Sequence, residues 1–572
     1  MVLTDRKSFD QHVERAKRAF EDIHSGESWT ISVCVSEDSK AKGVLDTYEH
    51  LRFRIEGGDL DARLRTVGGG GWAWADPSLI VSGPGHSRVL YGNIGPDEVP
   101  ELVSSLAGGK PLDSHLIGSF DEESDLPSVY EHPFFKIQQR ILTRQWGMID
   151  PYSIDDYLAN DGYSAWIKAL FDMSPEDVVE EVKASGVRGR GGAGFPAGIK
   201  WESGRRARAT PKFMACNSHE GEPNVYKDRR LIESDPHRVL EGIMLGCYGI
   251  GAERGYNYIG GEHLLAVERF RHAVRDAYRL GLLGDNILGT GVNCHIRLST
   301  GGGAYICGEG SALMYSVMGE RGQPRTKPPR SVEEGLWRRP TVLNNTETLA
   351  PVPDIIRRGG AWYASLGTER STGTKLVSMQ GPLARLGVVE VEMGVSLKDL
   401  LFETYGGMAE GKTLKGVQTG GVSAGPLLPE QLDVAVDFDS LQQYDCMLGS
   451  GGFVVFDESV DAVEFGRYLM DFNRWESCSK CTPCRLGNKA LVEVVDRILN
   501  GRGQPSDLLL IEETAKHVME LSLCGLGQVA PAPLLGMMHS YPEDFEARIE
   551  AAEEASPDLK RPPTIPMVAV GH

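Results

Sequence analysis

Three cysteines fall within seven residues near the end of the chain, Cys478-Ser-Lys-Cys481-Thr-Pro-Cys484, and a fourth, Cys524, follows 40 positions later. Two-residue gaps hold three thiols close enough to serve one metal centre, and a distant fourth can close it. Whatever else the chain does, this segment must fold around one point. Four thiolates suit a cubic iron–sulfur cluster. A structural zinc ion also takes four, but more often from two separated pairs than from a C-x2-C-x2-C triplet, and unligated core cysteines are the plain alternative to both. Lys480 and Arg485 beside the triplet would lower thiolate pKa values and offset a cluster's negative charge, or are simply solvated surface charges. Cys216, Cys247, Cys294, Cys307 and Cys446 sit singly in apolar or strand-like runs and read as ordinary buried residues.

Glycine supplies the second constraint. The stretch Arg188-Gly-Arg-Gly-Gly-Ala-Gly194-Phe195-Pro-Ala-Gly198-Ile-Lys200-Trp201 opens with five glycines in eleven residues, flanked by arginines and a lysine. Without a Cβ, backbone amides can approach a phosphate, and the cations offset its charge. The P-loop pattern is absent, and a flexible turn would look similar. Two more segments bear on it. Cys216-Asn217-Ser-His-Glu220-Gly-Glu222-Pro follows a strand with an amide and two carboxylates, suited to flavin edge atoms and ribose hydroxyls, and Gly301 to Gly310, containing Gly308 and Glu309, opens a helix. Asn344-Asn345 adds paired amides. These segments meet only if a sheet folds them together. Individually, Glu220, Glu222 and Glu309 read more readily as solvated loop carboxylates than as ligands.

At 572 residues the chain exceeds what one core supports, so three to five domains of roughly 100 to 150 residues are expected. Its 80 acidic against 60 basic residues give a formal charge of -20, which repels a phosphate backbone and excludes nucleic acid as a partner. No apolar run reaches the roughly 20 residues a bilayer span requires, and Met1 to Phe20 is too charged for a signal peptide. The expectation is a cytoplasmic protein with no membrane association. Ten cysteines are too few and too uneven for a disulfide framework.

The periodicity predicts a multidomain α/β protein. Residues 1–120 read as a small α/β unit, with a strand at Trp29 to Val35 and a hairpin at Leu79–Val81 and Val89–Leu90. Residues 121–150 read as a linker. Residues 151–365 alternate helices with short strands such as Phe213–Ala215 and His295–Leu298, the pattern of an α/β sheet with a nucleotide-sized ligand. Residues 366–455 offer three strands around a helix near Ser396, residues 456–555 are helical and carry the cysteines, and 556–572 is a tail.

Taken in order, RGRGGAGFPAG-x-KW, CN-x-x-E-x-EP, AYICGE, RGQPR-x-KPP, PTVLNN-x-ETL, ESC-x-x-CTPCR and SLCGLG resemble the NADH-binding flavoprotein subunit of respiratory complex I and its soluble relatives, the diaphorase subunits of NAD-linked formate dehydrogenases and hydrogenases. The resemblance covers about 150 to 555. It implies a Rossmann-like FMN domain, a β-grasp domain, and a helical bundle holding a 4Fe-4S cluster on Cys478, Cys481, Cys484 and Cys524. By motif match, Gly189, Arg190, Gly191, Gly192, Lys200, Asn217, Glu220, Gly308, Glu309, Asn344 and Asn345 should surround FMN. Phe195, Glu222 and Lys327 should contact NAD(H), with Phe195 stacking on an aromatic ring. The implied activity is hydride exchange between nicotinamide and FMN, with single electrons passing through the cluster to or from a partner subunit. Among parent complexes the overall likeness favours a soluble NAD-dependent formate dehydrogenase with a large molybdenum- or tungsten-pterin subunit, ahead of a hydrogenase diaphorase and a complex I subunit; a zinc-stabilised scaffold is the reading from another class.

The chain departs from the pattern where His219 replaces an aspartate, Gly310 a second glutamate and Arg330 a phenylalanine. The added positive charge would favour a phosphate, which keeps NADPH open as a substrate. Residues 1–120 resemble a thioredoxin-like ferredoxin module, but the expected ligand positions read Asp38, Gly69 and Ala73, and Cys34 alone cannot hold a 2Fe-2S cluster. That leaves the module a docking or structural role.

Overall fold

The computed structural model describes residues 2–25 and 28–555; the expected tail, 556–572, lies outside the described residues. The amphipathic helix α1 (Arg6–Ile23) opens with a capping box in which the Asp5 carboxylate accepts from Ser8 N–H at 2.8 Å. It does not cover the first sheet. Its buried Phe9 and Ala16 join a core formed by residues beyond 140, among them Trp146, Tyr157 and Trp166, so the first helix belongs structurally to the second unit.

The first sheet has the order β2-β1-β3-β4-β5, formed by β1 (Trp29–Val35), β2 (Ala62–Gly68), β3 (Leu79–Gly83), β4 (His86–Tyr91) and β5 (Leu116–Ser119). β1 runs parallel to β2 and antiparallel to β3. Six of its seven residues are buried, because both faces are covered: Ile31, Val33 and Val35 share one core with Val44, Leu51 and Val99, and Cys34 shares another with Val67 and Trp72. The short α2 (Glu37–Ala41) follows β1; α3 (Val44–Glu56) and α4 (Val99–Ala107) pack together and share a core with the sheet. The hairpin is present, with Ile80 opposite Leu90. Residues 121–150 are anchored rather than trailing. Glu390 accepts backbone N–H bonds from Ile141, Leu142 and Thr143 at 2.8–2.9 Å.

The second sheet is wholly parallel: β6 (Phe213–Ser218), β7 (Arg254–Gly260), β8 (His295–Gly301) and β9 (Thr341–Asn345) lie in the order β8-β7-β6-β9. Its helices are α5 (Ala197–Arg206), α6 (Lys227–Ser234), α7 (Pro236–Ile250), α8 (Leu264–Leu280) and α9 (Gly310–Val317). α7 starts where Asp235 accepts from Arg238 N–H, has Pro236 in its first turn, and ends on Gly251 at φ +75°, a start and stop that the sequence encodes locally. It is buried almost all round, as a central core helix must be.

The third sheet, β11-β10-β14-β12-β13, combines β10 (Thr374–Gln380), β11 (Gly387–Glu392), β12 (Leu414–Gln418), β13 (Pro426–Leu427) and β14 (Gly452–Asp457). β14 is central, between β10 and β12, although the expected strands of this region stop at Gln418. Beyond it, α10 (Ala462–Glu476), α11 (Asn488–Arg497), α12 (Pro505–Leu521), α13 (Gly525–Val529), α14 (Ala532–Ser540) and α15 (Pro542–Ala555) close a helical core around Leu469, Leu491, Ile511 and Leu534. No helix of the described residues is long and apolar enough to cross a membrane.

Candidate functional site

In an open parallel sheet the ligand crevice lies at the carboxyl ends of the strands where the strand order reverses. Here that point is between β6 and β9, and the register sets Asn217 beside Asn345 and Cys216 beside Asn344. Asn217 Nδ2 donates to the Gly308 carbonyl at 2.9 Å, and Asn345 Nδ2 donates to Asp228 at 2.5 Å. Two distant motifs are thereby joined to the first turn of α6. The glycine loop folds over them. Its Gly189 N–H donates to Phe195 O at 2.9 Å, closing the loop. Gly191 faces Asn345 so closely that a Cβ would lie 3.1 Å from the asparagine Cβ, and Gly192 has φ +116°, where a side chain is strained.

A cavity of about 340 Å³ opens at this place. Of the expected residues, Gly191, Asn217, Glu220, Glu222, Gly308, Glu309 and Asn345 line it. A second cavity of about 520 Å³ is lined by Phe195, Lys200 and Lys327, and the two share Ala193 at their border. Phe195 is 48% exposed, so its ring is free to meet a planar ligand.

Four expected residues do not reach either cavity with a side chain. Asn344 is 3% exposed and accepts from Trp201 Nε1 at 2.9 Å. Arg190 is 1% exposed and turns inward, donating to Thr372 O at 2.6 Å and lying 5.6 Å from the Phe438 ring. It braces the loop against the third sheet's unit, with Nε and Nη1 left without a hydrogen-bond partner. Gly189 and Gly192 serve the loop's backbone. Residues not singled out from the sequence also line the first cavity: Asp228, Tyr305, Ser423, Ser450 and Asn473, together with Gly525, Leu526 and Val529 of α13. The glycine run around Ser450 was the available signal for one of them.

Charge is arranged unevenly. Glu220 caps α6, accepting from Asp228 N–H at 3.0 Å and Arg229 N–H at 2.9 Å. Burial pushes the Glu222 carboxyl up to about 7, against a hydrogen bond from Ser450 and the charge of Lys227. Burial acts against the charge on Lys227, but the carboxylates of Asp228, Glu347 and Glu220 outweigh it and raise its pKa. In the second cavity burial, helped by Lys327, lowers Lys200 to about 8. Burial opposes the ionised form of Glu309, yet bonds from Ser311 and the Lys327 charge, 3.0 Å away, hold its pKa low.

The Glu222 shift makes a testable contribution to stability. Its folded pKa lies above its unfolded value of 4.5, so the folded chain binds the extra proton between about pH 4.5 and 7. The contribution is fully present below that window and is lost as pH rises through it. Glu222→Gln is expected to reduce the fall in unfolding free energy between pH 5 and 7.5 by at most about 3 kcal/mol. Parallel denaturant titrations of wild type and variant over that range check this, and identical pH slopes would refute the assignment.

The cysteines lie beyond α13, which lines the first cavity. Burial pushes Cys484 up to about 11, opposed by a bond with Ser477 and reinforced by Cys481, Cys524 and Cys478. Burial also raises Cys524, while the N–H groups of Gly527 and Leu526 favour its thiolate and Cys478 disfavours it. Among the described residues no group of three or more Cys, His, Asp or Glu side chains is set to hold a metal ion, but burial and the neighbouring thiols keep Cys484 from ionising unaided, which a bound cation would relieve. Gly527 permits the approach: a Cβ there would lie 3.1 Å from Cys484 Cβ. Lys480 and Arg485 donate to the carbonyls of Pro324 and Ser479 at 2.6 and 2.8 Å. Because α13 begins immediately after Cys524 and lines the first cavity, the cysteine centre adjoins the asparagine pair's cavity. The single cysteines Cys216, Cys247, Cys294, Cys307 and Cys446 are buried, as expected.

Residues 182–354 match the Nuo51 FMN-binding domain, and residues 464–548 match the NADH-ubiquinone oxidoreductase-F iron–sulfur binding region. The chain is 46% identical over 415 residues to NADP-reducing hydrogenase subunit HndC of Solidesulfovibrio fructosivorans, covering 73% of this chain and 84% of that one. It is 44% identical over 411 residues to the F 2 subunit of NADH-quinone oxidoreductase in Rhizobium meliloti (strain 1021), covering 72% and 97%. The crystal structure of an NAD+-reducing [NiFe]-hydrogenase in the H2-reduced state superposes with a TM-score of 0.64 at 25% identity, covering 94% of this chain and 88% of that chain. The cavity, the gathered thiols and these matches lead to one conclusion: the chain belongs to the family of 51 kDa-type NADH-binding flavoprotein subunits, as an oxidoreductase component with FMN, a 4Fe-4S cluster and NADH as substrate.

Proposed function

We propose that this chain is the nicotinamide-reacting subunit of a cytoplasmic multisubunit enzyme, with FMN in the first cavity, the dinucleotide in the second, and the 4Fe-4S cluster on Cys478, Cys481, Cys484 and Cys524. The observation that carries this is adjacency. The asparagine pair, the glycine loop and the helix beginning beside Cys524 line one cavity, and the cavity with Phe195 borders it. When bound, FMN supplies the exchange between two-electron nicotinamide chemistry and one-electron iron–sulfur chemistry. The protein contributes placement. Asn217 and Asn345 would orient the flavin ring, the Gly191 backbone would approach its phosphate, Phe195 would stack on the dinucleotide, and Glu222 would hold a proton on its carboxyl near neutral pH. In domain terms this corresponds to a thioredoxin-like unit, a Rossmann-like FMN unit, a β-grasp unit and a cluster-bearing bundle.

The partner is the finer part of the proposal. A formate dehydrogenase subunit with a molybdenum- or tungsten-pterin centre is the reading favoured by overall family likeness. A hydrogenase is the second, favoured by HndC and by the likeness to the NAD+-reducing [NiFe]-hydrogenase across 94% of this chain. The native complex would be purified anaerobically and tested for formate-driven and hydrogen-driven bleaching of its flavin and cluster bands. Bleaching by hydrogen alone discards the formate reading; bleaching by formate alone discards the hydrogenase reading.

The dinucleotide itself is open to a phosphorylated form. Four cations, Lys200, Arg325, Lys327 and Arg330, line the second cavity without a carboxylate among its described lining residues. Lys327 pairs with Glu309 and Arg325 with Glu334, whereas Arg330 has no ion pair among the described residues. An exposed guanidinium suits a phosphate bidentately. Arg330→Phe is expected to raise KM for NADPH roughly tenfold, with KM for NADH changed by less than about threefold. Equal effects on both dinucleotides would remove Arg330 from specificity.

A further inference from the structure

The first sheet's unit meets the flavin-binding unit across α6, and the contact falls on the positions where a ferredoxin-type cluster would be ligated. Arg230, fully buried, reaches out of α6 into that space. Its Nη2 donates to Asp38, and a Cβ on Gly69 would lie only 2.7 Å from its Nη1. Cys34, wholly buried at the end of β1, feels the Arg230 charge, although burial dominates and its thiol is pushed up to about 12. The fourth position, Ala73, is held by a bond from Lys42 Nζ, just past α2, to its carbonyl at 2.6 Å. Two of the four expected ligand positions, Asp38 and Gly69, thus meet one guanidinium. The residues present do not fit a 2Fe-2S cluster: a single thiol remains, and a cation occupies its place.

The contact continues along the helix. Arg229 donates to Asp38 at 3.0 Å, Ser234 Oγ donates to Gly69 O at 2.8 Å, and Glu37 N–H donates to Glu233 at 3.3 Å. Gly68 approaches so closely that a Cβ would lie 2.6 Å from Ser234 Cα. The opposite side of α6 carries Asp228, which lines the flavin cavity and is held by Asn345 and Lys227, while Glu220 receives the helix's first N–H groups.

We propose that Arg230 has replaced the cluster at the centre of this face, converting an electron-carrying module into a clamp that fixes α6 and, through it, the Asp228–Glu220 wall of the flavin cavity. Arg230 and Asp38 are positioning residues, because they act on the cofactor site only through the helix. The proposal rests on the placement of FMN in the first cavity but not on which partner or dinucleotide the chain uses.

Two measurements on the full chain test it. Anaerobically purified wild type is expected to contain about four irons and to show one cluster signal on reduction; about six irons with a second, 2Fe-2S signal would overturn it. Asp38→Asn is expected to weaken FMN binding roughly tenfold, with the iron content and absorbance of the bundle's cluster unchanged, and Asp38→Glu to restore most of that affinity. Wild-type FMN affinity in Asp38→Asn, or a loss that Asp38→Glu rescues no better than Asp38→Leu, would overturn the clamp. Wild-type FMN content serves as the control that separates failure of the clamp from failure of the flavin assignment.

Discussion

Gly191→Leu is expected to yield a folded chain that has lost its flavin, with FMN affinity lowered at least about 100-fold and NADH oxidation reduced to background. The reason is local. Gly191 lines the cavity with its backbone, and its missing Cβ would already lie 3.1 Å from Asn345 Cβ. Alanine asks the asparagine to give by a few tenths of an ångström. Leucine adds three further carbons where the ligand must sit, and strain of roughly 1–3 kcal/mol adds to the loss of hydrogen bonding from the loop amides. The graded pair is the test: Gly191→Ala should keep most of its FMN, whereas Gly191→Leu should keep its cluster absorbance without flavin. Stoichiometric FMN in the leucine variant would mean that the loop does not hold the cofactor.

Cys524→Ala should separate the two halves of the chemistry. With one of four ligands missing, cluster iron is expected to fall from about four per chain to a small residue. FMN should remain, because Cys524 itself is not among the residues lining the cavity. NADH oxidation by an acceptor that draws electrons directly from flavin should persist within about threefold, while electron delivery to the partner drops at least about 100-fold, equivalent to roughly 3 kcal/mol of lost coupling. Retention of full iron and of electron transfer would show that the distant cysteine is not a ligand. Coincident loss of flavin and iron would show that α13 depends on the cluster for its placement against the cavity.

The parts of the site legible in the sequence were those whose chemistry is local. A cysteine triplet needs its ligands a few residues apart, so the spacing announces the centre. The asparagines were legible as paired amides at Asn344-Asn345, but the pair that faces the cavity is Asn217 with Asn345, which are 128 positions apart and meet only through the register of β6 and β9. Arg190 illustrates the reverse. In a glycine-rich loop an arginine reads as a phosphate ligand, yet Thr372 O and the Phe438 ring, both remote in sequence, draw it inward. The same holds for the fold. Helical periods and the hairpin could be read from neighbours along the chain, whereas the partner of α1 and the central place of β14 depend on contacts with distant segments.

The first cavity takes its lining from residues as far apart in the sequence as Gly191 and Val529. A nascent chain released from the ribosome only as far as β9 would have the asparagine pair in register but no opposite wall. With FMN in this cavity, cofactor loading would be an event of the finished polypeptide, after the cysteine helices have closed, and bound flavin would double as a reporter that synthesis and folding have both reached their end.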